Sequence, residues 1–152
     1  MAKSTPDAVL DGFLDDIALA DLAFEATADS PTELFDGATH ALIESLADPL
    51  TIGQSWHHLI DRHADDLSSL LFDWLEEMVY LKDAHGVVFH HASITLDRHP
   101  TQTTWHLHGQ LVGAPVDAGR QTLRSDVKGV TKHLYEVGEY PAGWRARVVL
   151  DV

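Results

Sequence analysis

A chain of 152 residues, 45% of them hydrophobic, has enough length for one domain with its own core. It contains no apolar run long enough to span a bilayer, and its lack of cysteine excludes disulfides, thiolate metal sites and cysteine nucleophiles. Asp and Glu total 24 against 10 Lys and Arg, a net charge of −14, which argues against a nucleic-acid ligand and for a cation or a basic protein surface. The same acidity also serves solubility. The first residues lack the basic start and apolar stretch of a signal peptide, so a soluble, cytoplasmic protein without membrane contact is expected.

Residues 1–12 are polar and small and read as a loose arm, with a single domain over 13–152. From Ile17 to Thr27 the chain alternates, Leu22, Phe24 and Ala26 against Asp21, Glu25 and Thr27, which predicts a half-buried strand. Ser30-Pro31-Thr32-Glu33 is a capping box with proline at the first helical position. The helix it opens carries Leu34, Phe35, Ala38, Leu42 and Leu46, and Asp48-Pro49 ends it. Trp56 to His63 alternates again as a strand. Asp65-Asp66 then precedes the strongest helical stripe, Leu67, Leu70, Leu71, Trp74, Leu75, Met78, Val79 and Leu81, with Gly86 as its stop.

Four further strands are expected, Val87–Leu96, Thr103–Val112, Leu123–Val137 and Trp144–Val152, joined by Pro- and Gly-bearing turns. In the last of them Val148 and Leu150 face one way and Arg147, Val149 and Asp151 the other. Two helices among five or six strands give an α+β fold, a largely antiparallel sheet with two main helices packed on one side of it.

No Gly-rich loop precedes a helix, and no serine sits in a Gly-x-Ser-x-Gly elbow, so phosphate cradling and esterase chemistry lack their motifs. His106 and His108, two apart on a strand, share a face and have a transition-metal spacing. His57-His58 and His90-His91 are adjacent and should point to opposite faces. We read all of these as polar, solvent-facing strand positions, and the four tryptophans as core or rim anchors. The carboxylates form a better constellation. If the first long strand and the last are antiparallel neighbours, Asp21, Asp151 and the carboxylate of Val152 converge on a hard-cation site suited to Mg²⁺ or Ca²⁺. The alternative is that they are ordinary exposed strand-end acids, and pattern alone favours it.

Three stretches carry a family resemblance: Ala20-Asp21-Leu22 with Thr32-Glu33-Leu34-Phe35; Asp65 through Glu77 with Tyr80-Leu81 and Gly86; and Val127-Lys128-Gly129-Val130-Thr131-Lys132-His133 with the closing Arg147–Val152. In this order and spacing the chain resembles the archease family from about Asp15 onward. The resemblance implies an archease-like α+β fold. It also implies a non-catalytic, chaperone-like activator of the RtcB-type tRNA-splicing RNA ligase, which promotes guanylylation and multiple turnover of its partner without itself handling RNA. It further implies a divalent cation, calcium in the first instance, held by Asp21, Asp151 and Val152. One departure is plain: where the family has an Asp-His-Thr-Ala-Asp box, this chain reads Ile17-Ala18-Leu19-Ala20-Asp21, without the His and Thr. Asp15 or Asp16 replaces the first acid only with a small insertion. Two other readings of the same residues stay open: a small metal-dependent hydrolase with His133 as its base, and a metal-free acidic adaptor.

Overall fold

The protein's structure, a computed structural model, describes residues 3–6 and 21–152. The expected strand residues Ile17 to Ala20, and Asp15 and Asp16, lie outside them. Within the segment read as a loose arm, one short strand is described, β1 (Lys3–Pro6), antiparallel to β2 (Asp21–Ala28).

Helix α1 (Pro31–Leu46) starts as its sequence requires. Ser30 is extended and its hydroxyl accepts the Glu33 N–H at 3.2 Å, with Pro31 in the first turn. Helix α2 (Leu67–His85) is capped by Asp66, whose carboxylate accepts the Ser69 N–H at 2.7 Å, and ends at Gly86 with φ +61°. That left-handed conformation is where glycine carries no Cβ penalty. Between the helices lie a 3-10 turn (Pro49–Thr51), capped by Asp48, and β3 (Trp56–Ala64). The remaining strands are β4 (Val87–Asp97), β5 (Trp105–Pro115), β6 (Gly129–Tyr140) and β7 (Gly143–Asp151).

The α+β class is as expected, but the described strands divide into two antiparallel sheets instead of one. One runs β1-β2-β7-β6 and the other β3-β5-β4. Each helix packs against both: α1 on β2 and β4, α2 on β6 and β3. One continuous core results, with Phe24, Phe35, Leu70, Trp74, Met78, Leu107, Leu111 and Val148 fully buried. Burying side chains of that size stabilises by about 1.5–3 kcal/mol each. Trp74 is its centre. The indole N–H donates to Thr39 Oγ1 at 2.8 Å, and a Cβ on Gly109 would come within 2.6 Å of the ring, so only glycine fits opposite it.

Two expectations fail locally. The strand predicted from Leu123 begins only at Gly129. Residues 122–128 form a strap whose backbone bonds go elsewhere: Arg124 and Ser125 donate to the carbonyls of Leu46 and Ser45, and the Thr122 carbonyl accepts from Asp48. Their alternation is real, but the last turn of α1 takes their hydrogen bonds. Next, β6 slips out of register with β7 between Thr131 and Glu136. Leu134, in that bulge, has φ +56° and folds over Ala23 and Val149 on the outer face. Those two small-to-medium apolar residues, on the face expected to be polar, are buried for that reason.

Candidate site at the joined ends of β2 and β7

Strands β2 and β7 are antiparallel neighbours, and the register sets Asp21 directly opposite Asp151. Residues opposite each other in such a pair project from the same face, with Cβ atoms about 4.5–5.5 Å apart. Asp21 is half-buried and Asp151 exposed. On its other side Asp151 pairs with Gly129, where a Cβ would lie 3.6 Å from Glu76 Oε1, the carboxylate oxygen that accepts the Val130 N–H at 2.5 Å. The Asp151 carbonyl accepts the Lys128 N–H at 2.7 Å, which fixes the backbone of the last strand. Val152 follows, half-buried and packed against the core.

The electrostatics of this ladder change along its length. Four residues further in, Glu25 opposes Arg147, with the guanidinium donating to the carboxylate at 3.0 Å. Arg145 extends the network to Glu136 at 3.3 Å and lies 4.1 Å over the Tyr140 ring. At the open end two acids oppose each other. Among the described residues neither Asp21 nor Asp151 has a cationic partner. Like charges directly opposite are destabilising, and a cation between them removes the cost. The two opposed carboxylates are all-oxygen donors of the kind that suit a hard cation with waters in the rest of its shell. Among the described residues no group of three His, Cys, Asp or Glu side chains is placed to hold a metal.

The histidines mostly lie where strand geometry put them. His106 and His108 share the outer face of β5, and there the structure adds partners that spacing did not reveal. His63 opposes His106 with ring centroids 5.8 Å apart, while His108 Nδ1 lies 2.5 Å from Asp61 and its Nε2 3.6 Å from Asp97. His57 is exposed and His58 half-buried, stacked on Trp56 at 5.5 Å. His90 and His91 depart from expectation. A bulge between Phe89 and His91 brings their rings to 5.3 Å, edge to face, and His90 Nδ1 lies 3.0 Å from the Pro49 carbonyl. His133 is exposed in the β6 bulge, its carbonyl accepting from the Thr131 hydroxyl at 3.5 Å. Trp74 is core, and Trp56, Trp105 and Trp144 are half-buried at its rim, as expected.

Sequence reading missed Lys82. It occupies the last turn of α2 with its side chain only 8% exposed, and its ammonium donates to Asp83 at 2.7 Å and Asp126 at 3.0 Å. Burial works to lower its pKa, but the two carboxylates outweigh that and hold it above the usual lysine value. Tyr135 is likewise pushed up, chiefly by burial, although its hydroxyl donates to the Ser68 carbonyl at 2.6 Å.

Comparison with known proteins matches residues 13–152 to the Archease protein family. The chain belongs to the archease family. Curated relatives named "Protein archease" include one from Methanopyrus kandleri, 30% identical over 88% of this chain and 94% of its own length, and one from Methanothermobacter thermautotrophicus, 29% identical over 88% and 93%. Among solved structures, the solution structure of protein 1598 of Methanobacterium thermoautotrophicum superposes with a TM-score of 0.72 at 26% identity, covering 90% of this chain and 95% of that one. An archease of Thermotoga maritima described as a possible chaperone shares the fold, with a TM-score of 0.59 at 18% identity over 89% and 93%. None of these names is that of an enzyme. Among the described residues no helix is long and apolar enough to cross a membrane.

Proposed function

We propose that this archease is a non-catalytic activator of an RtcB-type tRNA-splicing RNA ligase, and that its Asp21–Asp151 end is the working surface. The observation that carries the reading is the register: two carboxylates face each other, without a cationic partner among the described residues, on a ladder that elsewhere pairs acid with arginine. Family membership supports an archease role, and the protein's acidity suits approach to a basic, RNA-handling surface. A chaperone-like role fits the description of the Thermotoga protein.

Asp21 and Asp151 would hold a divalent cation, calcium in the first instance, with Val152 contributing a main-chain carboxylate oxygen. The cation would neutralise the opposed acids and fix the end of β7. The remaining residues supply rigidity: Lys128 anchors the Asp151 backbone, and Leu134 covers the neighbouring Ala23 and Val149. We place the protein in the cytoplasm beside its ligase.

The test is multiple-turnover RNA ligation by the ligase of the same source, with and without this protein. Stimulated turnover and guanylylation are expected, and Asp21→Ala and Asp151→Ala should reduce them with the fold intact by circular dichroism. Unchanged turnover with wild-type protein sinks the reading. Full stimulation by both variants detaches the acidic end from it. A short C-terminal extension should weaken calcium binding where an N-terminal one does not; unchanged affinity removes Val152 from the ligand set.

A further inference from the structure

The outer face of the β3-β5-β4 sheet gathers donors of another kind. His108, on the central strand β5, lies between two carboxylates. Its Nδ1 is 2.5 Å from Asp61 Oδ1 on β3, and its Nε2 is 3.6 Å from Asp97 Oδ2 on β4. The two contacts differ in nature. The first is a hydrogen bond, and an ionised carboxylate can only accept, so Nδ1 carries the proton. In the neutral ring Nε2 then presents a lone pair. It meets another acceptor, Asp97 Oδ2, at a separation too long for a hydrogen bond. Among the described residues Asp97 has no other ion-pair partner: Arg62 is taken by Glu77, and Arg98 lies over the Trp105 ring at 4.6 Å.

Two lone-pair atoms at that separation repel, and a cation between them reverses the sign. A zinc ion about 2.0–2.1 Å from nitrogen and 2.0–2.2 Å from oxygen, with tetrahedral angles, holds the two atoms about 3.4 Å apart. The observed 3.6 Å is close to that value without any movement of the strands. Behind the ring, Asp61 does what a carboxylate does for a metal-binding histidine, fixing its tautomer and orientation through the other nitrogen. Imidazole beside carboxylate suits Zn²⁺, whereas Ca²⁺ and Mg²⁺ take oxygen, so this place differs chemically from the Asp21–Asp151 end. His108, Asp61 and Asp97 are 55%, 79% and 59% exposed, which leaves room for waters to complete the shell.

A third donor stands beside these two. His106 precedes His108 by two residues on the same face and lies directly opposite Asp97 in the β4–β5 register. Its ring rests against His63, so three donors do not converge as the side chains stand. Both rings are exposed, and exposed side chains change rotamer within nanoseconds. One such turn brings His106 to the ion. The strand spacing of His106 and His108 alone does not select a metal; the carboxylates on the two neighbouring strands do.

We propose that His108, Asp97 and His106 bind a Zn²⁺ ion, with Asp61 positioning His108 from the opposite side. The ion ties β4 to β5 on the exposed face of the second sheet.

The test is calorimetric titration of Zn²⁺ into the full chain in the presence of excess calcium. A single zinc ion per chain is expected, with a rise in the unfolding midpoint. His108→Ala, Asp97→Ala and His106→Ala should each weaken binding about 10-fold or more, and Asp61→Ala about 10-fold. Their metal-free midpoints should stay near wild type, since exposed ion pairs are worth little. Asp151→Asn and His63→Ala should bind zinc as wild type does. Absence of zinc binding, or wild-type affinity in His108→Ala or His106→Ala, overturns the site. A loss in His63→Ala with none in Asp61→Ala would move the ion to the His63–His106 pair, and a loss confined to Asp151→Asn would give it to the acidic end; either overturns the assignment.

Discussion

The two ends of the β2–β7 ladder obey opposite rules. At the inner end Glu25 meets Arg147, and Arg145 joins Glu136, so charges on the outer face are matched across the strands. At the outer end Asp21 meets Asp151. The same two strands, with continuous register between them, thus contain a segment arranged for stability and a segment that forgoes some. Ordinary surface acids are scattered or paired; an acid opposed by another in strict register is a place where the fold leaves something to be added. The histidine-rich face of the other sheet is a third case, with His108 between Asp61 and Asp97 supplying cationic matching only when protonated.

The largest effect expected from this contrast is stabilisation by calcium. At a hundredfold excess over its dissociation constant a ligand confined to the native state adds about 2.7 kcal/mol. Calorimetric melting with calcium and with chelator should show that rise in wild type, and Asp151→Asn or Asp21→Asn should abolish it. An unchanged midpoint in wild type breaks the comparison. Next comes the inner end. Arg147→Ala leaves the mostly buried Glu25 with, among the described residues, a 4.0 Å contact to Arg145 as its remaining ion pair, and should cost about 1–2 kcal/mol in denaturant unfolding while calcium affinity is retained.

Smaller is the alkaline limb. Lys82 and Tyr135 both have folded pKa values raised above their ordinary 10.5 and 10.0, so the fold favours their protonated forms. Their contribution is complete below about pH 10 and is lost as pH rises through the folded values. Stability measured from pH 9 to 12 should fall, and less steeply in Tyr135→Phe; equal slopes would remove Tyr135 from the account. The smallest effect should have the opposite sign. Without metal, Asp21→Asn removes a like-charge pair and should raise stability by a few tenths of a kcal/mol. A loss instead would mean that Asp21 has a structural partner.

Much of this was legible because local chemistry and burial agree. Ser30, Pro31 and Gly86 mark helix ends by mechanisms that act within a few residues and act as read, while Asp66, read as a first-turn acid favouring the helix dipole, stands one place earlier as the N-cap. The convergence of Asp21 and Asp151 was legible as a conditional, since alternation assigns a face but not a neighbour. What remained hidden is non-local. Nothing in Val87–Val112 says that its strands will form their own sheet with Trp56–Ala64. The strap alternates like a strand, yet α1 takes its hydrogen bonds. The bulges at His90 and Leu134 undo strict alternation, and with it any inference about which histidines or valines share a face. Lys82 reads as a solvated last-turn lysine, because Asp126 is brought to it only by the strap.

Pairing Asp21 with Asp151 joins segments from nearly opposite ends of the chain. Closing so long a loop is slow, because its entropy is lost before any contact repays it. The β2–β7 ladder is therefore expected late on the folding pathway, after helix-centred structure around Trp74 has formed. Interactions made after the rate-limiting step change how fast a protein comes apart far more than how fast it assembles. A cation on this end would then lengthen the lifetime of the folded state and leave its rate of formation nearly untouched, acting as a latch on a door that closes at its own pace.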